Sequence, residues 1–376
     1  MEMNVNNRQH HSPNRCPQGR EHPTRRRVLG NLGFAVGASM IGVHSSSSPS
    51  LFAGADADRL VRFGDTDLYV TRYCQGTAFR EIPRTDNPQA RSILHRCLDM
   101  GINFFDSAEA YGWGGSETVL GKAIRGHRDE VILCTKAAPN NPPQRDSNSN
   151  EFKVGDGLPF SQKALFRKVE GSLRRLGTDY LDLYLLHSWD EITPPQQLAT
   201  RMETLVQSGK IRYWGISNFT SQQVGEFCDR RQKQFPMAGS EDYFHIASGE
   251  RPDANLLNVI HQNGRGLLAF SPQNEGQLSP GREDKLGKAK KAVVRVLDQV
   301  ARKIGATRPQ VCIAWVLAHQ AVTTVLGGAE SPEHVTENFG GTQIELPPEA
   351  ISLLDAASEK YRQHRLLRIQ QVKEAG

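Results

Sequence analysis

The chain is poor in the features that assign a protein quickly. Its 376 residues include six cysteines (Cys16, Cys74, Cys97, Cys134, Cys228 and Cys312), and no two of them are close together. That scatter excludes a disulfide framework and the paired spacing of a zinc site, and no other metal-ligand pattern stands out. Several of the cysteines sit inside apolar runs, which reads as buried free thiols. The net charge of +5 is modest and partly concentrated at the N-terminus, so it does not argue for a nucleic-acid partner. The one apolar run outside the body of the chain is too short and too glycine-rich for stable insertion in a membrane. No dinucleotide glycine fingerprint follows the first strand of a βαβ pattern. What remains, with 38% hydrophobic and 23% charged residues, is a globular chain long enough for one α/β barrel or two ordinary domains.

The first 55 residues differ in kind from the rest. A polar stretch up to Pro23 is followed by Thr24-Arg25-Arg26-Arg27-Val28-Leu29, a mildly apolar run from Gly30 to Val43, and a Ser/Pro-rich stretch ending in Ala53-Gly54-Ala55. A basic region, a short apolar region and a small-x-small site make an export signal. The arginine pair resembles the twin-arginine type, which carries proteins across a membrane already folded. The mature chain then starts near Asp56 and lies outside the inner membrane, in the periplasm. The plain alternative is a disordered tail on a cytoplasmic protein.

From Leu60 onward, strand-like and helix-like periodicities alternate. Leu60–Phe63 and Leu68–Val70 flank Gly64-Asp65, which predicts a hairpin. Strands follow at 71–76, 103–106, 131–136, 181–187, 211–217, 237–240, 266–270 and 322–326. Helical stripes lie between them, for example Leu165, Val169, Leu173 and Leu176, closed by Gly177. Eight strands with crossover helices predict a parallel sheet closed as a (β/α)8 TIM barrel with an N-terminal β-hairpin. The expected division is a signal-bearing segment over 1–55, the barrel over 56–346, and a C-terminal amphipathic helix with a basic tail over 347–376. Pro139–Pro159 and Ser271–Lys288 read as long loops on the carboxyl face, where such barrels keep their chemistry.

Three of the predicted strands lead into ionisable groups: Asp106 and then Tyr111 after the first, Lys136 at the end of the second, and His187 at the end of the third. Singly, each has a plain reading: a turn cap, a packed ring, a solvated strand end, a satisfied core histidine. Together they make an acid for an oxygen that becomes negative as hydride arrives. The phenol would donate the proton, the ammonium would lower its pKa, the carboxylate would hold the ammonium, and the imidazole would orient a carbonyl. Hydride itself needs a nicotinamide.

The words around these residues are Asn103–Gly112 with Gly114-Gly115-Ser116-Glu117, Val131–Lys136, Ser172–Tyr184 leading to His187, Gly215–Phe219, and Glu337-Asn338. In order and spacing the chain resembles the aldo-keto reductase superfamily from about Arg59 to Leu346. The resemblance implies Tyr111 as proton donor, tuned by Lys136 and Asp106, with His187 orienting the substrate. It implies NADP or NAD as cofactor. Ser217 and Asn218 would hold the carboxamide, Phe270 would stack on the nicotinamide, Ser271 would open a loop over the pyrophosphate, and Asn338, at the start of the last helix, would reach the adenine end. Gly76 and Thr77 would line the pocket floor, and Trp113 would line the substrate pocket. A small carbonyl compound is the implied substrate, and nothing decides the oligomeric state.

Two departures stand out. Ser240 falls where the family usually has a glutamine for the carboxamide. Where relatives that prefer NADP place cations, this chain has Gly328 and His334, with Glu330 between them. A carboxylate repels a 2′-phosphate and accepts from a ribose hydroxyl, so preference for NADP should be weak or reversed. Besides an oxidoreductase, the sequence admits a cofactor-binding regulatory or redox-sensor subunit with little turnover, and an exported barrel that binds a sugar without a nucleotide. If folded export is real, protein recovered from outside the inner membrane should carry a bound dinucleotide, detectable by mass spectrometry. Recovery of nucleotide-free protein that binds none tightly would refute it.

Overall fold

The computed structural model describes residues 60–139, 160–228, 235–249 and 255–375. The segment expected to carry an export signal, 1–55, and most of the Pro139–Pro159 loop lie outside the described residues. The hairpin comes first, with β1 (Leu60–Arg62) antiparallel to β2 (Tyr69–Thr71). Eight strands follow: β3 (Tyr73–Gly76), β4 (Phe104–Asp106), β5 (Ile132–Ala137), β6 (Leu181–Leu186), β7 (Ile211–Ser217), β8 (Gly239–Tyr243), β9 (Gly266–Phe270) and β10 (Thr324–Gly327). Each pairs in parallel with the next, and β10 returns to β3, which closes the barrel. The expected (β/α)8 barrel with its hairpin is the fold found.

The helices are α1 (Pro88–Asp99), α2 (Gly115–Ala123), α3 (Gln162–Leu176), α4 (Pro195–Gln207), α5 (Ser221–Phe227), α6 (Leu256–Gln262), α7 (Lys288–Ile304), α8 (Arg308–Leu317), α9 (Pro332–Gly341) and α10 (Pro348–Ala375). Their starts follow local chemistry. Asn87 accepts from the Ala90 amide with Pro88 in the first turn, and Thr220 and Thr307 form reciprocal capping boxes with Gln223 and Gln310. Gly177 and Gly305, at φ of 69° and 68°, end α3 and α7 in the left-handed conformation that favours glycine.

Three expectations shift. The first barrel strand begins at Tyr73, because Thr71 belongs to the hairpin, where its amide donates to Asn103 Oδ1 at 2.8 Å. The sixth runs on through Glu241 and Asp242, two charged residues that disguise a strand in sequence. The C-terminal segment is one continuous helix, α10, rather than a short helix and a tail. It packs by Ala350 and Leu354, and its Asp355 accepts from the Trp315 indole at 2.8 Å. Among the described residues, no helix is long and apolar enough to cross a membrane.

Two apolar cores result. One fills the space between helices and strands. The other fills the barrel: Cys74, Phe104, Ile132, Cys134, Leu183, Leu185, Leu268 and Leu326 face inward, and Phe63, Leu68 and Val70 of the hairpin region plug the amino end. All five cysteines among the described residues are free and buried. Outside the barrel, Glu117 on α2 accepts from Thr135 Oγ1 at 2.7 Å and from Arg175 Nε at 2.5 Å, tying α2, β5 and α3 together. Glu117 has no exposed surface, so removing it strands a cation beside a buried hydroxyl. Glu117→Ala should therefore cost about 3 kcal/mol of stability, read as a lower urea midpoint with an unchanged slope.

Candidate active site

The carboxyl ends of β4, β5 and β6 bring the four sequence-predicted groups together. Lys136, with no exposed surface, places Nζ 2.5 Å from each Asp106 oxygen and 2.9 Å from the Ser107 carbonyl. Tyr111 sits on a 3-10 turn (Tyr111–Gly114) after β4, and its ring centroid is 5.1 Å from the same ammonium. His187, one residue past β6, meets the Tyr111 ring edge-on, with centroids 5.7 Å apart and planes at 81°. Its backbone amide donates to Ala137 O at 2.8 Å, which fixes the imidazole at the barrel mouth. The turn carrying Tyr111 needs Gly112 at φ 56°, and a Cβ there would lie 2.5 Å from Arg84 Cβ. Trp113, next along, is 56% exposed and stands at the rim.

The electrostatics differ in one respect from the sequence reading. Burial opposes the Lys136 charge, yet Asp106 and a second carboxylate, Glu241, raise its pKa well above the usual lysine range, so it is an ammonium. Tyr111 has its pKa raised, not lowered. Burial dominates, Lys136 pulls down, and Asp106 and Glu241 push further up. The ammonium is already neutralised by Asp106, so it cannot outweigh the loss of solvent. Tyr111 is thus a neutral phenol at physiological pH, ready to give a proton. His187 is lowered to about 3 by burial and then by Lys136, which makes it a neutral hydrogen-bonding group.

Glu241 escaped the sequence reading. It is 3% exposed, pairs in register with Ser217, and faces inward with Oε2 at 3.2 Å from Lys136 Nζ. The available signal was strand parity, since alternate residues of β8 point inward. The same parity turns Ser240 away: its hydroxyl donates to Asp242 on the outward face, so the structure does not bring Ser240 to the four groups.

The other sequence-predicted positions ring the same face. Thr77 is committed to the scaffold, donating to Asp106 O at 3.0 Å and Ser107 Oγ at 2.9 Å. Gly76 ends β3, where a Cβ would come within 3.1 Å of Leu326. Ser217 ends β7, and Asn218, at φ 63°, donates to Ser217 Oγ at 3.0 Å and His187 O at 3.1 Å. Phe270 ends β9 with its ring 5.3 Å from that of Tyr243, and Ser271 turns the chain at φ 58°. Asn338 lies in the middle of α9, not at the start of a last helix. It accepts from Gln273 Nε2 at 2.6 Å and donates to Gly328 O at 3.1 Å, so it ties the loop after β9 to the loop after β10. The loop after β9 also reaches the one after β3, through Arg80–Glu275 at 3.2 Å and an Arg282–Glu81 pair. His334 is exposed.

Glu330 bears on the dinucleotide. Its Oε1 accepts from the Arg80 amide at 2.7 Å, while its Oε2 is buried with no hydrogen-bond partner. Nearby Gly328 has open space where a side chain would be. An unmatched acceptor beside bare backbone is chemistry that a ribose hydroxyl fits. These residues therefore fit a dinucleotide.

Comparisons with known proteins bear on the family and the fold. Residues 74–359 match the Aldo/keto reductase family. The chain is 30% identical over 304 residues to methylglyoxal reductase YeaE of Escherichia coli (strain K12), covering 80% of this chain and 94% of that protein. It is 28% identical over 303 residues to a putative voltage-gated potassium channel subunit beta of Schizosaccharomyces pombe, covering 72% and 84%. A crystal structure of an aldo/keto reductase from Klebsiella pneumoniae in complex with NADP and acetate superposes with a TM-score of 0.62 at 30% identity, over 79% of this chain and 94% of that one. A closed parallel barrel, an Asp106–Lys136 pair at its mouth beside Tyr111 and His187, and likeness along most of the chain lead to one conclusion: the chain belongs to the aldo/keto reductase family of NAD(P)H-dependent reductases.

Proposed function

We propose that the protein reduces an aldehyde or ketone, with Tyr111 giving the proton to the carbonyl oxygen. A nicotinamide bound at the barrel mouth would supply the hydride. The observation that carries this reading is the Lys136 ammonium, fixed by Asp106 at 2.5 Å and placed under the Tyr111 ring. A buried cation there stabilises the phenolate left when the proton departs. His187, neutral at all physiological pH, orients the carbonyl by hydrogen bonding rather than by charge. Trp113 at the rim would meet the substrate's far end.

A second reading, a cofactor-binding regulatory subunit with little turnover, draws support from the likeness to the channel subunit. Steady-state turnover on a panel of aldehydes and quinones separates the two. Under the reductase reading, Tyr111→Phe should lower kcat/KM by about 10²-fold or more, the usual worth of a general acid, while dinucleotide binding by fluorescence quenching persists. Unchanged turnover would refute the assignment of Tyr111. Because Glu330 offers an acceptor and no cation, NADP should bind no more than about tenfold more tightly than NAD. A preference of about a hundredfold for NADP in a fluorescence titration of both would overturn that.

A further inference from the structure

The buried cluster at the barrel mouth holds one carboxylate more than its single cation can neutralise. Asp106, Lys136 and Glu241 are 1%, 0% and 3% exposed. Oxygens of both carboxyls and the Cys134 sulfur lie within 4.8 Å of one another, around the ammonium. Lys136 already fills the middle of that group, so the trio is not a place for a metal ion. The ammonium has three N–H donors. Both Asp106 oxygens and the Ser107 carbonyl take them, at 2.5, 2.5 and 2.9 Å. Glu241 Oε2 is left at 3.2 Å with an ion-pair contact and no hydrogen bond. Two bare carboxylates against one ammonium would bury an uncompensated negative charge, which costs several kcal/mol. The cheaper state keeps one proton on the carboxyl that lacks a donor, and that proton can bridge to Asp106.

We propose that Glu241 is a positioning residue that shares a single proton with Asp106 across Lys136, and that release of this proton at alkaline pH holds Tyr111 in its proton-bearing form, extending carbonyl reduction to higher pH. Oxidation needs the phenolate to accept a proton, and reduction needs the phenol to give one. A carboxylate beside the ammonium weakens what the ammonium can offer a phenolate. The groups that face Glu241 are Asp106 from β4, Cys134 and Lys136 from β5, Cys74 from β3, and Tyr111, with His187 adjoining Lys136. Of these only Lys136 is cationic, so no second positive charge offsets Glu241 once it ionises. Burial first, then Asp106, pushes the Glu241 pKa well above the usual carboxyl range, consistent with a resident proton.

The test uses the full-length protein and Glu241→Gln, which keeps the shape and cannot ionise when the shared proton leaves at alkaline pH. This kinetic arm rests on the reductase reading. In aldehyde reduction the alkaline limb of the kcat profile should move about one pH unit toward acid. A limb that stays in place, or a profile that falls in parallel at every pH, overturns the proposal. The second arm needs no turnover. In protein labelled at glutamate carboxyl carbons, the infrared spectrum at neutral pH should show an isotope-shifted carboxylic-acid band. That band should vanish in E241Q, and in Glu241→Asp it should pass to an aspartate label. A spectrum without such a band, or with one that both variants leave untouched, refutes the shared proton even if E241Q folds poorly. If the band behaves as stated but Tyr111→Phe does not affect turnover, the reductase reading fails and the shared proton stands.

Discussion

A single ammonium organises the upper half of this barrel. Lys136 carries its charge to a place without solvent, enclosed by strands that are otherwise apolar. Such a charge survives only if its donors are satisfied and its field is answered. Asp106 does both, and its position one strand over is set by the parallel register Asp106↔Cys134. Below this pair the interior is hydrocarbon and thiol. Above it are the phenol and the imidazole. The boundary between a packed core and a reacting surface is therefore one layer of side chains thick. The cluster's charge balance governs what the neighbouring phenol can do.

Much of this was legible in the sequence, for identifiable reasons. Strands such as Leu181–Leu186 and Ile211–Ser217 are apolar and sharply bounded, and their polar ends mark the carboxyl face. Asp106, Tyr111, Lys136 and His187 could be read because each interrupts or follows such a run. β8 could not be read as well. Its Glu241 and Asp242 look like loop residues, and what they meet on burial is not visible from spacing: Lys136, far along the chain, for one, and Ser240, its neighbour on the outward face, for the other. The direction of the Tyr111 shift was equally hidden. A lysine nearby suggests a lowered pKa, but the balance depends on how completely that lysine is already paired.

Several of the words that mark the family turn out to shape the scaffold. In Gly114-Gly115-Ser116-Glu117 a Cβ on Gly115 would meet Arg84 O at 2.0 Å, Ser116 donates to Thr77 O at 2.7 Å, and Glu117 anchors Arg175. Within Ser172–Tyr184, Asp182 accepts from Arg128, Arg212 and the Leu133 amide at 2.8, 2.7 and 3.0 Å, at the opposite end of the barrel from the reacting groups. Motif strength thus speaks for the architecture as much as for the chemistry. Glu241, which bears on the chemistry, lies in none of these words.

The hairpin at the start of the barrel has a consequence for how the molecule assembles. Phe63 rests on Gly239 and Gly266, where any Cβ would collide with its ring at 2.7 and 2.6 Å. Both halves of that socket are synthesised about two hundred residues after the ring they receive, so the floor is a contact of very high sequence separation. The first part of the barrel to be synthesised cannot be seated until β8 and β9 have been made. Closure of the base is a late event in folding, and until it happens the interior stays open to water from below.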